Sequence, residues 1–306
     1  MNRRRILILE NPKSGQAVST VPLLLTLLAE RGAEVELRTL DVQVPCSDHL
    51  HDLKSFDALV AAGGDGTVSS VAYAAKYSGV PILAYPAGTA NLITQNLNLP
   101  PDPPTLADVL LHAEPVLTDL AELRASGETQ GFTLIAGTGL DAQMILESED
   151  LKPRLGVAAY FVSALKQLAP KQVRFTLDLD GGRRIETEGI SVLIANFGMI
   201  NFRLPVTQGI DPADGRFTVV VLKGKSPLSL VPTAIDSLRS RLNLGDPLFQ
   251  DNLETYESRE VTVHASEGLP IEYDGEVMNA ELPLHARVLP GATLFLTPGT
   301  REDLST

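Results

Sequence analysis

Three apolar runs in the first third of the chain, Ile6–Leu9, Ala58–Ala62 and Pro81–Tyr85, each break off into a turn of small and polar residues. The turns are Asn11-Pro12-Lys13-Ser14-Gly15, Gly63-Gly64-Asp65-Gly66-Thr67 and Pro86-Ala87-Gly88-Thr89-Ala90-Asn91. Between the runs, Val21–Arg31 reads as a helix ended by Gly32. Val35–Leu40 reads as a strand with polar residues interleaved, and Thr67–Tyr77 as a helix closed by Gly79. Uninterrupted apolar strands alternating with helices imply right-handed crossovers and a mainly parallel sheet covered on both faces. The carboxyl ends of such strands line the ligand crevice, so the three turns are expected to converge there.

Each turn suits a phosphate. Gly63, Gly64 and Gly66 permit positive φ and let backbone amides approach an anion, and a helix beginning near Thr67 adds its positive end. A nucleotide phosphate chain is the natural occupant. Asp65 would be repelled by phosphate unless a divalent cation stood between them, so it is read as facing Mg²⁺. One glycine-rich turn after a strand is as readily structural as binding; three together favour binding.

The chain has 306 residues, which at about 150 per domain suggests two domains or one large one. Pro100-Pro101-Asp102-Pro103-Pro104 interrupts the first pattern and is read as a loop or hinge. Beyond it the apolar period becomes two. Phe175, Leu177 and Leu179 alternate with polar neighbours, as do Val261 and Val263, which describes half-exposed antiparallel strands. The second domain is therefore expected to be β-rich, with helices near Leu155–Leu168 and Pro227–Leu242.

Composition removes several classes. With 25 Lys+Arg against 38 Asp+Glu, the net charge of −13 repels a phosphate backbone, so nucleic acid is not expected as a partner. One cysteine, Cys46, excludes an internal disulfide and fits a cytoplasmic setting. The apolar run after Arg3-Arg4-Arg5 stops at Glu10, too short for a signal peptide. The charge-free stretch Val80–Pro101 carries too many Pro and Asn residues to be a membrane helix.

The order and spacing of Asn-Pro-x-Ser-Gly, Gly-Gly-Asp-Gly-Thr and Pro-x-Gly-Thr-x-Asn resemble the diacylglycerol kinase catalytic domain shared by bacterial soluble lipid kinases, diacylglycerol kinases and sphingosine kinases. Gly137-Thr138-Gly139-Leu140-Asp141-Ala142 is similar to that family's Gly-x-Gly-x-Asp-Ala turn, Asp211-Pro212-Ala213-Asp214-Gly215 to its acidic turn, and Asp274-Gly275-Glu276 to its Asp-Gly-Glu motif. The resemblance implies an N-terminal open α/β nucleotide-binding domain over 1–118 and an antiparallel β-sandwich substrate domain over 119–289, with a cleft between them. The strand Ala292–Pro298 and the tail, about 290–306, return to the first domain. It implies ATP and Mg²⁺ as cofactors and a lipid or other alcohol as acceptor, with a place in phospholipid biosynthesis. Asn11, Pro12, Lys13, Ser14, Gly15, Thr39, Gly63, Gly64, Asp65, Gly66, Thr67, Gly88, Thr89 and Asn91 would form the nucleotide site. Glu276 would accept the proton, with Asp274 on the same sharp turn, and Asp214 would hold a structural Mg²⁺ with Asp211 and Arg216 as carbonyl donors.

Val68-Ser69-Ser70 follows Gly-Gly-Asp-Gly-Thr where the family commonly has an Asn-Glu pair, and Gln16 stands where it has a small residue. Two alternatives stay open: an NAD kinase-like enzyme acting on a soluble alcohol, and a nucleotide- or lipid-binding protein that has lost catalysis. Gly224-Lys225-Ser226 lacks the earlier glycine of a P-loop, and His49 and His51 have no zinc-type partners nearby. Leu155–Leu168, with lysines and arginines close by, is compatible with transient contact at a membrane surface, although a helix packed on the β domain is the commoner outcome. The sequence leaves oligomeric state open, a homodimer included.

Overall fold

The computed structural model describes residues 4–14, 19–41, 43–139, 171–197, 210–223 and 253–299. The expected helices Leu155–Leu168 and Pro227–Leu242 lie outside these residues, as do Gly15, Gln16, Leu140, Asp141 and Ala142. The chain divides into two compact units, Met1–Leu120 with Leu289–Thr306, and Ala121–Val288.

The first unit contains β1 (Arg5–Glu10), α1 (Val21–Glu30), β2 (Glu34–Thr39), β3 (Ala58–Gly63), α2 (Asp65–Ala74), β4 (Ile82–Pro86), α3 (Leu92–Asn96) and α4 (Pro103–His112). Its strands run in the order β2-β1-β3-β4, all parallel. The end of β16 (Leu284–Leu296) lies parallel beside β4, with Phe295 opposite Ile82. Ile6, Leu7, Ile8 and Leu9 are all fully buried, which requires both faces of the sheet to be covered. Val21, Leu24 and Leu28 of α1, Val68 and Val71 of α2, and Leu106 and Leu110 of α4 are buried as well. From β1 the chain pairs first with β2 on one side and then with β3 on the other. The strand order therefore reverses at β1/β3, the place where open α/β sheets take ligands.

The proline cluster is corrected in part. It does stop the preceding pattern, but Pro103 and Pro104 open α4, because proline at the first helical positions forfeits only an amide that has no intrahelical acceptor. Asp102 caps that helix by accepting from the Thr105 amide at 3.0 Å. The second helix also begins earlier than expected, at Asp65, and ends at Ala74.

The second unit holds the antiparallel elements. β8 (Val173–Leu179) pairs with β9 (Arg183–Gly189) and β13 (Glu260–Ala265), and β13 pairs with the first part of β16. β5 (Pro115–Ala125), whose last residues belong to this unit, pairs with β6 (Glu128–Phe132). A six-stranded sheet follows the order β12 (Leu253–Ser258), β11 (Phe217–Leu222), β10 (Ser191–Ala195), β7 (Ile135–Gly139), β14 (Ile271–Tyr273), β15 (Glu276–Met278). Phe175, Leu177, Val261 and Val263 share one apolar cluster with Val192, Ile194, Val219 and Val221 of the six-stranded sheet, so the unit is a β-sandwich. The period of two is what builds it: β8 buries Phe175, Leu177 and Leu179 and exposes the residues between them more.

Candidate functional site

In the first unit the three turns leave the carboxyl ends of β1, β3 and β4, and these strands are neighbours. Their loops are bonded to one another. The Asn11 amide donates to the Ala62 carbonyl at 2.9 Å, and its side-chain Nδ2 donates to Thr67 Oγ1 at 2.9 Å, joining the first loop to the second. Asn11 Oδ1 accepts from the Lys13 amide at 3.0 Å, and Ser14 Oγ donates to the Asn11 carbonyl, which folds the loop back on itself. The Ala87 amide donates to the Gly63 carbonyl at 3.1 Å, and the Ile93 amide donates to Asp65 Oδ1 at 2.8 Å, joining the second loop to the third.

The glycines serve a different purpose from the expected one. Gly63, Gly64, Gly66 and Gly88 are not among the residues with positive φ, so conformational freedom is not what these positions require. Space is. A Cβ on Gly88 would lie 2.4 Å from the Gly64 Cα, and one on Gly63 would lie 2.4 Å from the Thr67 Cβ. Only bare backbone lets the second and third loops touch. Gly64 sits in extended backbone, with φ −84 and ψ −178, immediately before α2. The unpaired amides of that ten-residue helix supply partial positive charge at the crevice.

The other nucleotide candidates fall around this core. Pro12, Lys13 and Thr89 are exposed, and Ser14 and Asn91 are half-buried. Thr39 is exposed at the end of β2, opposite Glu10 in register. Sequence reasoning missed Tyr85 and Thr20. The Tyr85 hydroxyl lies 2.7 Å from Thr20 Oγ1, tying the end of β4 to the start of α1, and burial raises the Tyr85 pKa. A tyrosine closing an otherwise aliphatic strand is the signal that could have found it. Val68 and Ser69 are buried within α2 and Ser70 is exposed, so the departure from the Asn-Glu pattern falls on the helix, past the loop.

In the second unit, Asp274 and Gly275 form a two-residue hairpin between β14 and β15. Both take positive φ, 45 and 85, the geometry that matches strand twist. Asp274 is buried and its carboxylate accepts three backbone amides, from Thr133 at 2.7 Å, Leu134 at 2.9 Å and Ile135 at 3.0 Å. It fastens the hairpin to the start of β7. Glu276 is exposed, and Tyr273 directs its hydroxyl toward Glu276 Oε2 at 3.5 Å. Burial first, and the Glu276 charge second, push the Tyr273 phenol up to about 12.

Gly137-Thr138-Gly139 is a correction. These residues lie inside β7, where a Cβ would meet the Val192 carbonyl oxygen at 2.6 Å from Gly137 and the Ile190 carbonyl oxygen at 2.5 Å from Gly139. They let neighbouring backbone close in, Gly139 with a φ of 113 at the end of the strand, and the rest of the expected turn, Leu140 to Ala142, lies outside the described residues. The acidic segment before β11 is a turn: Asp211 Oδ1 accepts from the Ala213 amide at 3.0 Å, Asp214 Oδ1 accepts from the Arg216 amide at 2.8 Å, and Gly215 has φ 75. Among the described residues no three of His, Cys, Asp and Glu gather as metal ligands. The cation that the resemblance implies here, held by the Asp214 carboxylate and the Asp211 and Arg216 carbonyls, would have an all-oxygen set, which suits a hard ion.

Two families account for nearly all of this sequence. Residues 5–123 match the diacylglycerol kinase catalytic domain, and residues 135–297 match the YegS C-terminal NAD kinase beta sandwich-like domain. The chain belongs to the diacylglycerol kinase catalytic-domain family. A diacylglycerol kinase of Bacillus subtilis is 26% identical over 286 residues, covering 89% of this chain and 90% of that protein. An uncharacterized Synechocystis protein is 26% identical over 243 residues, and the match spans 54% of its length. Among solved structures, a diacylglycerol kinase of Bacillus anthracis superposes with a TM-score of 0.66 at 18% identity, covering 96% of this chain and 97% of that one. An Archaeoglobus fulgidus NAD kinase in complex with ATP gives 0.54 at 15% identity, covering 98% and 95%. The chain thus shares its fold with solved structures of a diacylglycerol kinase and of an NAD kinase. No helix of the described residues is long and apolar enough to cross a membrane.

Proposed function

We propose that the protein transfers the γ-phosphate of ATP to the hydroxyl of a lipid acceptor such as diacylglycerol or a sphingoid base. The observation that carries this reading is the set of three loops bonded to one another at the ends of β1, β3 and β4, the second of which opens α2, in a chain of a lipid-kinase family. The amides of Gly64 to Thr67 at the α2 N-terminus and the loop Asn11 to Ser14 hold the triphosphate, with exposed Lys13 adding positive charge. A divalent cation bound with the nucleotide would supply neutralisation of the phosphate charge there, with the Asp65 carboxylate as the nearby acid. In the transfer the acceptor oxygen bonds to the γ-phosphorus, the bond from that phosphorus to the β-phosphate bridging oxygen breaks, and ADP leaves. The hydroxyl proton passes to Glu276, which is exposed and held on a rigid hairpin.

The test offers labelled ATP with diacylglycerol or sphingosine in mixed micelles and, separately, with NAD. Label in the lipid is the expected outcome, and Glu276→Ala should lower that turnover by at least about 10²-fold while nucleotide affinity holds. The NAD kinase fold-relative gives a second reading its foothold, and label in NAD alone would establish it. ATP bound with no acceptor labelled would identify a binding protein without catalysis.

A further inference from the structure

The third loop is held in shape by one side chain. Asn91 sits in the left-handed region, with φ 49, a conformation asparagine tolerates better than other residues with a Cβ. From there its side chain reaches back three residues. Oδ1 accepts the Gly88 amide at 2.8 Å and Nδ2 donates to the Gly88 carbonyl at 2.8 Å, so both polar groups of Gly88 are taken by one carboxamide. Gly88 is the residue whose α-carbon region presses on Gly64. The Asn91 carbonyl in turn accepts from Thr94 Oγ1 at 2.8 Å and from the Gln95 amide at 3.2 Å, anchoring the clamp in α3. Asp65 fastens the same helix from the second loop through the Ile93 amide.

We propose that Asn91 is a positioning residue: it acts on the nucleotide through Gly88, by holding the third loop against Gly64, and not by touching the phosphates. Both of its heteroatoms are already bonded to Gly88, so a direct contact would have to share or abandon the bonds that shape the loop. The consequence for affinity rests on the ATP reading above; the clamp itself does not.

Asn91→Gly separates side chain from backbone, because glycine keeps the left-handed conformation without strain and removes only the carboxamide. Asn91→Asp keeps an acceptor for the Gly88 amide and loses the donor to its carbonyl. Amide hydrogen exchange across residues 86–91 of the ligand-free protein should quicken in Asn91→Gly, with β3 and α2 unchanged, and Asn91→Asp should restore protection at Gly88. Affinity for a non-hydrolysable ATP analogue should fall about tenfold in Asn91→Gly, appearing in KM for ATP more than in kcat. A fall in affinity with wild-type exchange would mean that Asn91 contacts the nucleotide directly and would overturn the proposal, as would no change in either measurement. If the unsubstituted protein fails to bind the analogue, the ATP reading falls, and hydrogen exchange still decides the clamp.

Discussion

Replacing Gly88 by alanine tests whether the second and third loops must touch. The new Cβ would lie 2.4 Å from the Gly64 Cα, 3.0 Å from Asn91 Oδ1 and 3.1 Å from the Gly64 nitrogen. Carbon atoms rest at roughly 3.5–4.0 Å, so the loops must part by about 1 Å or more, and two of the three clashing atoms are backbone that cannot rotate away. Overpacking of this kind costs about 1–3 kcal/mol. For a unit of this size that is a fall in Tm of about 3–12 °C. A displacement of about 1 Å beneath a phosphate site costs about 10²-fold in turnover. Gly64→Ala is the control on the other side of the same contact: its Cβ would lie 3.5 Å from the Gly88 Cα, an ordinary van der Waals distance, at a φ any residue adopts. It should melt like the parent protein and keep more of the affinity for ATP than Gly88→Ala does. Thermal denaturation and calorimetric titration with an ATP analogue read both effects. A Gly88→Ala protein with parental Tm and affinity would refute the reasoning, and so would equal destabilisation by the two variants.

The Asp-Gly-Glu hairpin supports two further predictions. Asp274→Ala should destabilise the second unit by about 3 kcal/mol or more, because three buried amides lose their shared acceptor; Asp274→Asn, which can still accept with one oxygen, should cost less, and an unchanged melting curve for the alanine variant would dispose of the fastening role. Burial first, and the Glu276 charge second, push the Tyr273 phenol from the ordinary 10 up to about 12. Its neutral form therefore adds stability that is complete below pH 10 and is lost as pH rises through about 12. Tyrosinate absorbance should show that late titration, and Glu276→Gln should bring it earlier while leaving the part due to burial.

Periodicity carried much of the fold because it follows directly from burial. Ile6 to Leu9 could only be a strand covered on both faces, and Phe175, Leu177 and Leu179 only one covered on a single face. Proline and glycine were harder, since each has more than one physical use. Pro103 and Pro104 stop one helix-like pattern and open another, and which of these they do depends on a cap that Asp102 supplies three residues before Thr105. Gly63 makes room for Thr67 within its own motif, but Gly88 is needed for a contact with Gly64 on another segment, and Gly137 and Gly139 for the carbonyls of Val192 and Ile190, so no window of local sequence contains the reason for those three. The site was legible as three turns at neighbouring strand ends. The bonds of Asn11 to Thr67 and of Asp65 to Ile93, across 56 and 28 residues, were not.

Those long-range bonds bear on how such a site is built. A site assembled from loops on separate strands depends for its accuracy on whatever holds their backbone still. Here several of the polar side chains that sequence alone would assign to a ligand are engaged within the protein: Asn11 with Thr67, Asp65 with Ile93, Asn91 with Gly88, and Asp274 with three amides. Glu276 differs from Asp274 in burial and in partners: Asp274 accepts three backbone amides, whereas Glu276 is exposed and faces the Tyr273 hydroxyl. Two acids one residue apart on the same hairpin have become, by the direction each side chain takes, a fastening inside the unit and an exposed carboxylate able to take a proton. On the proposed reading the two acids separate in the assay: loss of Asp274 should lower stability, and loss of Glu276 should lower turnover at unchanged stability.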